Sequence, residues 1–190
     1  MKVSPYEIDW PEPYAIATDG KVQTRSQGLH LSTIIRHVSL KMGWAKQSKI
    51  NNKLPMHMGI AWENYLFQLI SAGMPEGHAF EPHPPELEED GIYMSPDGIE
   101  IDSAGRIVVH EIKLTWKKPG KPIDSHWTWL TQVKSYCRAV GSTRGVLHQM
   151  YVTGDPFTTL PTHISTTLDF TQRELEENWS MILREAQSLR

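Results

Sequence analysis

The sequence predicts a single mixed α/β domain in which a central β-sheet is flanked by α-helices. Three observations predict it. One run, Ser95–Trp116 (SPDGIEIDSAGRIVVHEIKLTW), sets two apolar-rich segments around a glycine turn and reads as a β-hairpin. Segments with helical periodicity lie on both sides of it in the chain. No linker, repeat or low-complexity tract divides the 190 residues, and that length suffices for one hydrophobic core.

Taken in order, residues 1–27 are rich in proline and glycine and read as an irregular arm of the one domain spanning 1–190. GLHLSTIIRHVSLKMGW then predicts a helix that Ser32 can cap, with Ile34, Ile35, Val38 and Met42 on its apolar side. KQSKINNKLP reads as a polar, basic loop. Pro55 can open a second helix, with Ile60, Leu66, Leu69 and Ile70 on one stripe and Gly73 at its end. The proline-rich stretch from Met74 to Gly91 reads as a loop, or as an edge strand plus a loop. After the hairpin comes a loop, KKPGKPID, and a third helix with Asp124 or Ser125 as its cap and Gly141 as its stop. RGVLHQMYVTG and HISTTLDF read as strands. The last helix is the best signed. Thr171 and Glu174 make a capping box, Phe170 and Leu175 a hydrophobic staple, and Leu175, Trp179, Ile182, Leu183 and Ala186 line one face.

Composition narrows the class. Apolar residues make up 39% and charged residues 22%, as in a soluble globular protein. No apolar run reaches the roughly 18 residues a membrane span needs, and MKVSPYEIDWPEP lacks the apolar core of a secretory signal. The lone cysteine, Cys137, excludes an intramolecular disulfide and fits a reducing cytoplasm. No phosphate-binding loop, dinucleotide fingerprint or hydrolase nucleophile elbow is present. The net charge of -3 counts mildly against a nucleic-acid protein, but the charge is segregated. Gly20–Trp62 carries Lys21, Arg25, Arg36, Lys41, Lys46, Lys49 and Lys53 and no acid, and Arg106–Arg144 is also basic-leaning. Such segregation suggests either a basic surface for a polyanion beside an acidic pocket or merely an uneven solvated face.

The hairpin carries the chemistry. Ser103-Ala104-Gly105 suits a three-residue loop with glycine in the left-handed conformation. Centring the hairpin on Ala104 pairs Ile101 with Ile107 and Asp97 with Glu111. Directly paired residues point to the same side, and alternation adds Lys113 to that side. Facing acids are destabilising unless a cation compensates them, and Mg²⁺ takes carboxylate oxygens while leaving room for substrate phosphate. Metal-assisted phosphodiester hydrolysis is therefore one reading. The other is an exposed face on which Lys113 neutralises Glu111.

Pro96-Asp97 followed by Glu111-Ile112-Lys113 across a hairpin resembles the signature of the PD-(D/E)XK nuclease superfamily. The Gly59-Ile-Ala-Trp-Glu63 segment on the second helix resembles the family's upstream acid, and Gln132-Val-Lys-Ser-Tyr136 resembles the Gln-x-x-x-Tyr motif of its lambda exonuclease, YqaJ and RecB-like branch. The resemblance covers roughly residues 28 to 190. It implies a restriction-endonuclease-like core and a metal-dependent deoxyribonuclease, most simply an exonuclease acting on DNA ends in phage recombination, replication or repair. Glu63, Asp97, Glu111 and the Ile112 carbonyl would hold one or two Mg²⁺ or Mn²⁺ ions, and Lys113 would position and activate the water. Gln132 and Tyr136 share a helix face and would brace the active site or touch the DNA backbone. The implied partner is DNA, as double-stranded ends or single strand. A homo-oligomer and a single-strand annealing or binding protein are further partners the resemblance raises, and the cytoplasm of a bacterial host is the setting it implies. A structure-specific or nicking endonuclease on the same fold, and an inactive DNA-binding or assembly protein, are the alternatives.

Other residues give weaker signals. His30, Ser32 and Arg36 sit where similar nucleases grip a terminal phosphate or the DNA backbone, although Ser32 could serve only as a cap. Lys134 and Arg138 lie one turn apart and could follow DNA phosphates, or stand as ordinary exposed charges. Trp44, Trp62, Trp116, Trp127 and Trp129 are expected to pack in the core rather than stack on bases. His78, His83 and Cys137 match no usual zinc spacing.

Overall fold

The hairpin adopts the register expected of it. In a computed structural model that describes residues 26–45, 54–115, 120–152 and 162–190, Ile101 pairs with Ile107 and Gly98 with His110. Gly105 turns the corner at φ 75°, which glycine reaches without a Cβ penalty. Extending that register by one residue sets Asp97 opposite Glu111.

The described elements run β1 (Leu29–His30), α1 (Leu31–Lys41), α2 (Leu54–Ala72), β2 (Ala79–Pro82), β3 (Leu87–Glu89), β4 (Ile92–Met94), β5 (Gly98–Ile101), β6 (Ile107–Thr115), a 3₁₀ turn (Ile123–Ser125), α3 (Trp127–Ala139), β7 (Arg144–Tyr151), β8 (Thr162–Asp169) and α4 (Gln172–Gln187). They form an α/β fold with a mixed five-stranded sheet, β2-β5-β6-β7-β8, and a small three-stranded sheet, β1-β4-β3. β6 and β7 are parallel, so a crossover must join them, and α3 provides it. The other pairings in the large sheet are antiparallel.

The second sheet departs from the single sheet expected of the sequence. The stretch from Met74 to Gly91 is no mere loop: it supplies β2, which pairs with the outer side of β5, and β3, which pairs with β4. Pro82 ends β2 where its missing N–H would break a longer ladder. The basic surface expected from segregated charge is also only partly seen, since Lys21, Arg25, Lys46, Lys49 and Lys53 lie outside the described residues, as do Trp116 and most of the N-terminal arm. Several cations within them are locally neutralised: Lys41 by Glu185 at 3.0 Å, Arg106 by Asp102 at 2.7 Å and Arg144 by Asp169 at 2.7 Å.

Side-chain alternation on β6 divides the interior. Val109 points into a cluster built from Leu31, Ile34 and Ile35 of α1, Val133 of α3, Leu147 of β7, and Leu175, Trp179 and Ile182 of α4. Ile112 points to the other side of the sheet, where Leu66 and Phe67 of α2 meet Met150. Each such buried aliphatic side chain contributes roughly 1.5–3 kcal/mol. α4 carries its complete capping box, with Thr171 Oγ1 accepting from Glu174 N at 3.2 Å and Thr171 N donating to Glu174 Oε2 at 2.8 Å. Gly73 closes α2, its N–H donating to Leu69 O at 3.0 Å.

Caps elsewhere are not where local signals put them. α1 begins one residue before Ser32, with His30 at its N-cap and no side-chain cap, while Met42 is 54% exposed beyond the helix end. Asp124 and Ser125 fall in the 3₁₀ turn, and His126 takes the N-cap position of α3. Leu69 lies off the apolar stripe of α2 and is 48% exposed.

A polar ladder crosses the α2 side of the large sheet. Glu100 on β5 accepts from His78 Nδ1 at 2.5 Å and meets His110 Nε2 on β6 at 2.8 Å. His110 Nδ1 lies 2.9 Å from His148 Nε2 on β7, and His148 Nδ1 lies 2.9 Å from Ser165 Oγ on β8. Burial holds both rings neutral: His110 is depressed below its ordinary value and His148 falls to about 3. Among the described residues, no helix is long and apolar enough to cross a membrane.

Candidate active site

Elements from across the chain converge on one cavity of about 220 Å³. Glu63 comes from α2, Asp97 from the residue before β5, Glu111, Ile112 and Lys113 from β6, and Gln132 and Tyr136 from α3; His30 and Ser32 reach it from β1 and α1. The hairpin explains the first part of this convergence. Gly98 lets the Phe80 ring cross the strand beside Asp97, since a Cβ at Gly98 would come within 2.6 Å of that ring. The period of two on β6 puts Glu111 and Lys113 together. The i, i+4 spacing on α3 puts Gln132 and Tyr136 together.

Contacts join these groups into one network. Asp97 Oδ2 accepts from the Ile112 backbone N–H at 2.7 Å, which fixes it against β6. Lys113 Nζ donates to Glu111 Oε1 and, at 2.9 Å, to Gln132 Oε1. Gln132 Nε2 in turn donates to Tyr136 Oη at 2.7 Å. The glutamine therefore couples the lysine to a tyrosine that is 3% exposed and anchored in the core.

The electrostatics are unfavourable by design of position. Burial, then the charge of Asp97, pushes both Glu63 and Glu111 up to about 8. Asp97 is also raised, by burial, against the pull of Lys113 and the Ile112 N–H. Burial alone would lower Lys113, but the Glu111 and Asp97 carboxylates outweigh it and hold the ammonium. The Asp97 and Glu111 side chains are within hydrogen-bond reach of each other, which lowers the first and raises the second.

This donor set fits a hard cation. Glu111 Oε2 is buried and accepts no hydrogen bond, and the Asp97 carboxyl lies within hydrogen-bond reach of the same side chain, so the pair needs either a shared proton or a cation. The three carboxylates and the Ile112 carbonyl offer oxygens, the chemistry that suits Mg²⁺ or Mn²⁺. Among the described residues no three His, Cys, Asp or Glu side chains already stand at ligand spacing around one point. Closing on an ion thus requires the carboxylates to turn, with Lys113 now lying on one of them.

The phosphate-gripping candidates divide. Ser32 and His30 line the cavity. Arg36 is exposed on α1 and does not line it. Arg138 is no free phosphate ligand: it bonds Glu89, lies 3.1 Å from Glu176 and sits 5.1 Å over the Trp179 ring. Lys134 lies 5.4 Å over Phe170, also outside the cavity. Cys137 is buried, its thiol pushed up to about 12 and bonded to Arg144 O, while His78 is held by Glu100.

Sequence reasoning missed His83. Its Nδ1 lies 3.3 Å from Glu63 Oε1, and its backbone N–H donates to Asp97 O at 2.9 Å. It adopts φ 50°, uncommon for a residue with a Cβ. The position becomes legible only once β2 is paired with β5, because that pairing brings the residue after Pro82 beside Asp97.

The sequence matches no family model and no curated protein. Solved structures do match. An alkaline exonuclease from Laribacter hongkongensis, LHK-Exo, superposes with a TM-score of 0.53 at 16% identity, covering 94% of this chain and 92% of its own. A phage-related exonuclease from Haemophilus somnus 129PT gives 0.53 at 11% identity, over 83% of this chain and 79% of its own. The chain shares the fold of these two proteins. LHK-Exo has also been solved in complex with dAMP, and that structure matches over 85% of this chain, again at 16% identity and 0.53. The large sheet, α2 and α3 carry most of the acidic cavity.

Proposed function

We propose that this protein is a divalent-metal-dependent deoxyribonuclease, an exonuclease that hydrolyses phosphodiester bonds at DNA ends in phage recombination, replication or repair. One observation carries the reading: Glu63, Asp97, Glu111 and Lys113, from separate parts of the chain, line one cavity with Gln132 and Tyr136 behind the lysine. The likeness of fold to two exonucleases supports the preference for DNA ends.

Glu63, Asp97, Glu111 and the Ile112 carbonyl would hold Mg²⁺ or Mn²⁺. The bound ion supplies Lewis-acid polarisation of the phosphate and stabilises charge developing on the oxygens. The chain's own groups do the rest. Asp97 stays in place through the Ile112 N–H. Lys113, held protonated, presents its ammonium to the attacking water and to a phosphate oxygen. Gln132 keeps that ammonium aimed, and Tyr136 keeps Gln132 from rotating. Ser32 and His30 lie at the cavity edge where a phosphate of the strand would pass.

The test uses end-labelled linear DNA and a covalently closed circle, with Mg²⁺, Mn²⁺ or EDTA. Linear DNA should be degraded with the metals only, and the circle should survive. Glu111→Ala and Lys113→Ala should abolish cleavage and retain DNA binding in EDTA. Cutting of the circle would replace the exonuclease by an endonuclease, and no cleavage with either metal would end the enzyme reading.

A further inference from the structure

A second cavity, of about 530 Å³, is walled by Trp44, His126, Trp127, Trp129 and Tyr151. We propose that it is a nucleobase-stacking subsite for the nucleotide next to the scissile phosphate. The proposal rests on the nuclease reading above and deepens it.

Two elements place this cavity relative to the site. On β6, Thr115 lines it and follows Glu111 and Lys113 on the same side of the strand, about 6.6 Å beyond the lysine at the usual strand rise. On α3, Thr128 lines it and precedes Gln132 by one turn on the same face, about 6 Å away along the helix axis. The strand and the helix independently give the same offset. That offset is about one nucleotide of an extended strand, so a strand whose phosphate sits at Lys113 lays its neighbouring base into the aromatic cavity.

The walls suit a base. The His126 and Trp129 rings, stacked 4.0 Å apart with only 3° between their planes, form a paired aromatic wall with one outer face left on each ring. Trp44 meets Trp127 edge-on at 5.2 Å and stays 58% exposed, an unusual exposure for a tryptophan that only packs. The volume falls within the roughly 300–1,000 Å³ of small-ligand pockets. Lys121 at the rim supplies a cation for the adjoining backbone phosphate. Aromatic faces accept any base, as an enzyme that degrades strands of every sequence requires.

The experiment measures binding of the full chain to single-stranded oligonucleotides in EDTA by fluorescence anisotropy, using a series with one abasic residue moved stepwise from the end. In the wild type one abasic position should weaken binding roughly 5- to 150-fold, the range of one base–aromatic stack. In Trp44→Ala, whose exposed side chain leaves folding intact by circular dichroism, the intact strand should already bind that much more weakly and the same abasic position should cost nothing more. Lys121→Ala should weaken every member of the series equally and lower the salt slope by about one. A flat abasic series in the wild type, or an abasic penalty unchanged by Trp44→Ala, overturns the subsite. Cleavage is read in parallel: a wild type that degrades DNA with a flat series loses only this subsite, whereas a wild type inert with Mg²⁺ and Mn²⁺ loses the nuclease reading itself.

Discussion

Replacing Glu111 by Gln should stabilise the metal-free protein progressively as the pH rises. The carboxyl is 1% exposed, and burial beside Asp97 moves it from an ordinary 4.5 to about 8. The sign follows from linkage. Between those values the unfolded chain has released the Glu111 proton and the folded chain has kept it. Stability is therefore complete below pH 4.5 and is lost as the pH rises towards 8, at most about 1.4 kcal/mol per unit. Glutamine keeps the shape of the protonated acid and an oxygen for Lys113, and it has no proton to lose. Over pH 6 to 8 the variant should gain about 1–3 kcal/mol on the wild type. Urea unfolding in EDTA, followed by tryptophan fluorescence at pH 6, 7 and 8, measures this directly. Added Mg²⁺ should stabilise the wild type most at pH 8 and the variant little. A stability difference that stays flat across this range, or that favours the wild type at pH 8, would refute the argument that burial beside Asp97 makes the folded site hold the Glu111 proton.

Three further outcomes follow from the same geometry. Gln132→Leu should lower kcat by about 10- to 100-fold in steady-state cleavage assays while leaving DNA binding near wild type, because it frees Lys113 from its aiming contact. Gly98→Ala should cost about 1–3 kcal/mol in urea unfolding and reduce cleavage, since the added Cβ collides with Phe80 next to Asp97. His148→Gln should destabilise the protein at neutral pH by breaking the ladder. It should also flatten the loss of stability on acidification from about 6.5 towards 3, because burial lowers His148 to about 3 and folding then resists its protonation.

The hairpin and the convergence of the site residues on one cavity were legible because short-range rules govern them. A three-residue turn sets the register, a period of two gathers Glu111 with Lys113, and a period near four gathers Gln132 with Tyr136. Glu63 was legible only through its resemblance to a known motif, since nothing local says which way α2 packs. What escaped is what depends on partners distant in sequence. An edge strand was one of the two readings of Met74–Gly91, but its pairing with β5, which brings His83 to Glu63, was not legible. Arg138 looked like an exposed cation on its helix, but Glu89 and Glu176 arrive from other elements to hold it. The caps of α1 and α3 also escaped: an eligible serine or aspartate stood nearby, and in each case tertiary packing started the helix elsewhere.

The polar ladder across the large sheet has a consequence for how its strands find their alignment. Glu100 can only accept a hydrogen bond, so His110 must carry its proton on Nε2. Its Nδ1 is then a lone pair that takes the Nε2 proton of His148, whose own Nδ1 takes the Ser165 hydroxyl proton. The protons thus point one way from β8 to β5, with His163 Nε2 also 3.4 Å from His148 Nδ1 at the β8 end. Apolar alternation cannot distinguish correct pairing from a slip of two residues, because both bury the same face. The proton order can. In register His110 lies opposite Val146 and His148 opposite Ile112, so the contact between the rings is diagonal, and a two-residue slip of β7 that set His148 opposite Leu114 would part them. The ladder thus works as a key between β6 and β7, and it keeps Glu111 and Lys113 level with the rest of the site.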